Sequence, residues 1–157
     1  MYNFWVRLFI FATFNFGALA LGSLFTSDGV ASAWYQHLNK APWTPPGAVF
    51  GIAWFTVMLC FSFYMAYMTQ GIPTRKTLSF YLLFLLQWFL NILWNPTFFF
   101  FQEINIALMV IVMLLLVVSV FLYLGFKRKP LYALLVLPYV VWLIIATSLN
   151  AYISLYN

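Results

Sequence analysis

Five apolar runs, each long enough to cross a bilayer, constrain this chain more than any other feature. They lie at about residues 4–25, 46–69, 78–101, 105–125 and 131–154. A helix of roughly 20 mostly apolar residues spans the hydrocarbon core. Lipid-exposed backbone must satisfy its hydrogen bonds internally, so each run is read as a helix. Barrel strands are about half as long and alternate in polarity, which these runs do not. Only 6% of the 157 residues are charged and 66% are hydrophobic, whereas soluble domains carry roughly a quarter charged. The fold class is therefore an all-α membrane protein, a five-transmembrane-helix bundle forming one domain over residues 1–157.

The breaks between runs set the orientation. "TSDGVASAWYQHLNKAPWTPP" is a long polar and aromatic loop, while "QGIPTRK", "QEIN" and "KRKP" are short. Arg7, Arg75, Lys76, Lys127, Arg128 and Lys129 fall on one side of the membrane, and Lys40 alone on the other. The excess of cations on cytoplasmic loops puts the N-terminus in the cytoplasm and the C-terminus and first loop outside. The net charge of +5 does not predict nucleic-acid binding, because the cations form no stripe that could follow phosphates. The first run is too long for the apolar core of a signal peptide.

Most chemistry is excluded by what is scarce. One His (His37), one Cys (Cys60) and two acids (Asp28 and Glu103) cannot assemble a metal site of three or four ordinary ligands within one subunit. They supply no Ser-His-Asp or Cys-His set either. No phosphate-cradling glycine loop is present, and no charge lies inside a span as an ion pathway would require. An odd number of spans argues against a plain inverted-repeat transporter. No cofactor is required on this reading.

Polar residues inside spans mark the bundle interior. In the third span Gln87, Asn91 and Trp94 share one helical face, extended by Asn95. In the fifth, Pro138, Trp142, Ala146 and Asn150 recur every four residues beside Tyr139. The first span adds Asn15 and Ser23, and the second Trp54 and Ser62. Two readings stand: interhelical hydrogen-bond glue, or an aromatic pocket with a few amides for a flat, mainly apolar ligand. The fourth span has little polarity beyond Ser119 and is read as a lipid-facing scaffold. Pro138 predicts a kink that frees the Leu134 carbonyl. Gly47 and Gly51 form a GxxxG, a weak signal of close helix contact.

The stretch "NKAPWTPPGAVFGIAW", residues 39–54, interrupts this uniformity with three of the seven prolines and two of the seven tryptophans. Thr44 is a candidate N-cap of the second membrane helix with Pro45 at its first position. The prolines would hold Trp43 at a set angle, either as a membrane-interface anchor or as part of a lid.

"APWTPPGAVFGIAW", "LNILWNPTFFF" and "PYVVWLIIATSLN" together resemble the TspO/MBR family, the tryptophan-rich sensory proteins related to the mitochondrial translocator protein (peripheral benzodiazepine receptor). The likeness spans nearly the whole chain in order. It implies a five-helix bundle with a pocket near the outer end and the long first loop as its lid. It implies binding of tetrapyrroles, protoporphyrin IX or haem, by a sensor or regulator in a bacterial cytoplasmic membrane. The ligand-binding residues it implies are Tyr35 and Trp43 of the loop, Trp54, Asn91, Trp94, Trp142 and Ala146. Light- and oxygen-dependent porphyrin degradation by bacterial members implies a catalytic role for Trp54 and Trp142. Transport of porphyrin or a lipid-like metabolite is the further alternative, and homodimers are frequent in the family. The animal cholesterol motif is incomplete here, because no basic residue follows Tyr152 in "LNAYISLYN", so cholesterol binding through it is not expected.

Overall fold

The protein is described by a computed structural model covering residues 3–70 and 74–157, with the side chains of residues 74–77 outside that description. Seven α-helices form among the described residues: α1 (Phe4–Ala31), α2 (Ala33–His37), α3 (Gly47–Met68), α4 (Thr74–Asn95), α5 (Ile104–Arg128), α6 (Pro130–Ala133) and α7 (Leu137–Tyr156). A π turn, Pro96–Phe100, prolongs α4, and a 3-10 turn, Leu134–Val136, joins α6 to α7. Five segments are long and apolar enough to span a membrane: Phe4–Ala31, Gly47–Met68, Leu78–Phe100, Ile104–Arg128 and Pro130–Tyr156.

These five close into a ring. Helix α1 packs on α3 and α4, α4 on α5, α5 on α7, and α7 returns to α3. The shared core takes Met58, Phe61 and Met65 from α3, Phe84 from α4, Leu114, Val118 and Phe121 from α5, and Tyr139 and Leu143 from α7. Helix α5 thus differs from the scaffold expected of it. Its inward stripe of Val110, Ile111, Leu114, Val118 and Phe121 is buried, while Met109, Leu116 and Tyr123 face outward. An all-apolar sequence hides which stripe is which, because core and lipid select the same residues.

The two ends of the ring differ in charge. Arg7 donates to the Thr69 carbonyl at 3.1 Å and Lys129 to the Tyr67 carbonyl at 2.7 Å. Both cations thereby satisfy carbonyls left open at the C-terminal end of α3. Arg7 and Lys129 share this basic end, as their loop positions predict; the side chains of Arg75 and Lys76 lie outside the described residues. Lys40 sits at the opposite, loop end, with its ammonium 4.4 Å from the centre of the Tyr35 ring.

Three local expectations are corrected. Helix α1 continues six residues past its expected end at 25, to Ala31. Thr26 shares its one hydroxyl proton between the Gly22 carbonyl and the Asn95 side-chain oxygen, and Ser27 donates to the Ser23 carbonyl, so these polar residues stay helical. Thr44 does not cap α3: its hydroxyl donates to the Ala41 carbonyl at 2.7 Å, closing a turn, and α3 begins at Gly47 behind Pro46. Pro138 does not kink the interior of a helix either. The chain breaks at the 3-10 turn, and Pro138 falls in the first turn of α7, where a missing N–H leaves nothing unsatisfied. The Gly47–Gly51 pair meets open space and supports no close helix contact.

Candidate ligand site at the loop end

An aromatic group fills the seam between α3 and α7. The rings of Trp54 and Trp142 stand edge to face, 6.4 Å between centres. Phe50 meets Trp142 at 5.2 Å and Tyr139 meets Trp54 at 6.1 Å. Ala146 lies one turn beyond Trp142, partly buried against the same core. Trp142 is only 5% exposed, yet its indole N–H has no hydrogen-bond partner among the described residues. Gln87 donates to the Tyr139 hydroxyl at 2.8 Å, leaving its own carbonyl oxygen unpartnered, as is the Thr147 hydroxyl. An unpartnered polar group in an apolar interior costs on the order of 1–3 kcal/mol. The interior, at Trp142 in the seam and at Gln87 and Thr147 on α4 and α7, therefore holds hydrogen-bonding capacity without a partner among the described residues.

A second group sits beyond it, toward the loop end. The Trp94 indole donates to the Asn150 side-chain oxygen at 3.0 Å, and the Asn150 amide donates to the Ile104 carbonyl at 3.1 Å. Asn150 thus ties α4, α5 and α7 together, which is the glue reading of that residue. Trp94 also stacks on Phe98 with 5.2 Å between centres. Trp34 and Tyr35 of α2 pack on Phe98, and Tyr35 on Phe99. Burial pushes the Tyr35 phenol above its ordinary range, so it stays a neutral donor. Asn91 is buried on the same helix as Trp94, and its carbonyl accepts from the Asn95 amide at 3.3 Å.

The π turn explains this second group. Pro96 offers no N–H, and the ladder widens so that Phe101 N–H reaches the Pro96 carbonyl at 2.9 Å. The wider turn swings Phe98 and Phe99 inward to burial and leaves Phe100 and Phe101 exposed. Gln102, at φ 58°, ends the segment in the left-handed region. A proline inside an apolar run is a legible signal of such a break, but which phenylalanines turn inward is not.

The segment from Ser32 to Pro46 crosses the loop end of the ring. Ser32 caps α2 by accepting from the Tyr35 N–H at 3.2 Å. Asn39 and Asn157 exchange hydrogen bonds between their backbone and side chains. The Trp43 indole donates to Ser148 of α7 at 3.2 Å, and its ring meets Tyr152 edge to face at 5.4 Å. The seven predicted residues are not gathered at one point: Trp54 meets Trp142, with Ala146 one turn on against the same core, Tyr35 reaches Trp94 through Phe98, Asn91 is buried one turn before Trp94, and Trp43 stays at the rim. The rings occupy much of the space among themselves. A recess of about 190 Å³ opens on the outward side of the α3–α7 seam, and of the predicted set only Trp142 lines it. Phe50, Phe98, Phe99 and Ser148 carry no signal in the sequence that marks them for these contacts, and Tyr152 stood out only in the incomplete cholesterol motif.

Five apolar helices in a closed ring, with aromatic rings and side-chain amides gathered inside toward one end, define an integral membrane protein whose functional groups face its own interior. The chain belongs to the TspO/MBR family, which it matches over residues 9–156. It is similar to the tryptophan-rich sensory protein of Cereibacter sphaeroides, 32% identical over 117 residues, covering 74% of this chain and 72% of that protein. It is also similar to protein CrtK of Rhodobacter capsulatus, 32% identical over 135 residues, covering 83% and 80% respectively. The human translocator protein is 30% identical over 132 residues, covering 83% of this chain and 78% of its own.

Proposed function

We propose that this chain is a tetrapyrrole-binding sensor or regulator of a bacterial cytoplasmic membrane, with protoporphyrin IX or haem as ligand. One observation carries the reading: a buried, unpartnered indole N–H at Trp142, set among the rings of Phe50, Trp54 and Tyr139. Flat apolar ligands are recognised by aromatic walls with a few placed polar groups. On binding, the Trp54 and Trp142 rings part to stack on the macrocycle, and the Trp142 N–H donates to an acceptor on its edge. Asn91 and Trp94 bound the pocket from α4, and Tyr35 and Trp43 close it from the crossing segment, which acts as a lid. The basic end faces the cytoplasm and the lid lies outside, consistent with the cation asymmetry. The sensory name of the C. sphaeroides relative fits this role.

A second reading, light- and oxygen-dependent porphyrin breakdown, is favoured by the edge-to-face Trp54–Trp142 pair, which would place oxidisable indoles beside an excited ligand. One experiment separates the two. Protoporphyrin IX is titrated against tryptophan fluorescence in detergent, then illuminated in air. The binding reading expects saturable quenching and an affinity loss of about two- to tenfold in Trp142→Phe, the worth of one hydrogen bond. The catalytic reading expects Trp142→Phe to keep affinity and lose turnover. Quenching that never saturates, or that is unchanged in the Trp54→Phe/Trp142→Phe double variant, contradicts the site.

A further inference from the structure

Outside the seam, at the loop end, a recess of about 330 Å³ opens between the end of α1 and the π turn. Leu24, Phe25, Asp28, Gly29, Ser32, Phe99 and Phe100 line it. Its far wall is closely packed. Gly29 lies so close to Phe99 that an added Cβ would stand 2.4 Å from the ring, so α1 and the π turn are already in full contact there and cannot move closer. Phe25 and Phe100 meet edge to face at 6.2 Å, forming a second aromatic wall.

The polar part of the lining is anionic. Asp28, one of only two acids in the chain, is exposed, and among the described residues its carboxylate has no hydrogen bond or ion pair. Ser32, the other polar side chain, is committed: its hydroxyl donates to the Gly29 carbonyl and accepts from the Tyr35 N–H. Among the described residues no cation lines the recess. Depth matters as well. A helix rises 1.5 Å per residue, so Asp28 stands about 36 Å along α1 from Phe4, beyond a hydrocarbon core of about 30 Å. For an upright helix entering the hydrocarbon core at Phe4, that is headgroup level.

We propose that this recess binds an organic ammonium group. The carboxylate supplies the opposite charge and the phenylalanine faces supply cation–π attraction. The apolar walls favour an alkylated ammonium over a small, strongly hydrated metal cation. The same chemistry arrives either on a zwitterionic lipid headgroup or as a soluble organic cation. The site shares Phe99 with the aromatic group but requires no tetrapyrrole.

Thermal unfolding in non-ionic detergent, with tetramethylammonium chloride titrated against equal sodium chloride, tests it. The expected result is a saturable rise in Tm with tetramethylammonium alone. Asp28→Asn should weaken the apparent affinity at least tenfold, and Phe100→Ala, at an exposed ring, about two- to fivefold. Asp28→Glu keeps the charge and should retain binding, which separates loss of charge from loss of fold. Native mass spectrometry from vesicles of equal phosphatidylcholine and phosphatidylglycerol then assigns the source. Choline lipid enriched on the wild type but not on Asp28→Asn indicates the headgroup; equal retention indicates the soluble cation. A Tm response to tetramethylammonium no larger than to sodium, or equal in Asp28→Asn with unchanged circular dichroism, overturns the proposal.

Discussion

Gly22 shows how tightly single residues hold this ring. A Cβ there would stand 2.6 Å from the Asn95 amide nitrogen, and Asn95 in turn accepts from Thr26 at 2.7 Å. Gly22→Val should therefore push Asn95 off its partner and part α1 from α4. The expected cost is about 1–3 kcal/mol, typical of overpacking, read as a lowered Tm in detergent. Gly47→Val, at a glycine facing open space, should leave Tm unchanged. Equal shifts in the two variants would mean that the Gly22 contact carries no stability. The sequence hint of glycine packing pointed to Gly47 and Gly51, whereas close contact occurs at Gly22, Gly29 and Gly125. A spacing signal did exist: Phe11, Asn15, Ala18, Gly22 and Gly29 form the buried stripe of α1, at intervals of three, four or seven. What spacing cannot supply is the partner across the seam.

At the scale of elements, the segment crossing the loop end is the piece most suited to move. It is held by few and mostly exposed polar contacts, at Asn39 and Trp43, and by ring contacts of Trp34 and Tyr35. Exposed hydrogen bonds with little burial mark low local stability. Ligand should slow amide exchange across residues 34–40 more than across 127–129 at the basic end. If the segment closes over the ligand as proposed, Pro45→Ala with Pro46→Ala should raise the ligand dissociation rate more than it lowers association. Identical protection at both ends, with unchanged dissociation, would reduce "WTPP" to the start of a helix. The prolines made the stiff tail of this segment legible. The helical run from Thr26 to Ala31 was not, because "TSDGVASA" has loop composition and becomes helix through hydroxyl-to-carbonyl bonds and the fit of Gly29 against Phe99. The π turn was half legible: Pro96 marks the break, but the inward rotation of Phe98 and Phe99 depends on packing against α2.

For the whole molecule, five spans and an interior holding aromatic and amide side chains were readable from apolar runs and from the few polar residues inside them; the division of the rings into two groups was not. The ring order, with α7 closing between α3 and α5, was not, because lipid-facing and core-facing stripes share one composition. The candidate residues on regular spans, Trp54, Asn91, Trp94, Trp142 and Ala146, are buried or partly buried against the core. Trp43 did not join them, since a loop residue's position depends on where both ends of the loop are anchored. A tetrapyrrole entering the α3–α7 seam, as proposed, would lie beside the Trp54 and Trp142 indoles. The indole N–H resonances of the seven tryptophans in a 15N-labelled sample report this most directly, because a porphyrin ring current shifts only nearby protons. On titration with protoporphyrin IX the account predicts large, saturable shifts at Trp54 and Trp142 and a smaller one at Trp94. Trp5, 67% exposed and near the basic end, should stay in place. Shifts confined to Trp5 or Trp88, with Trp54 and Trp142 unmoved, would contradict it.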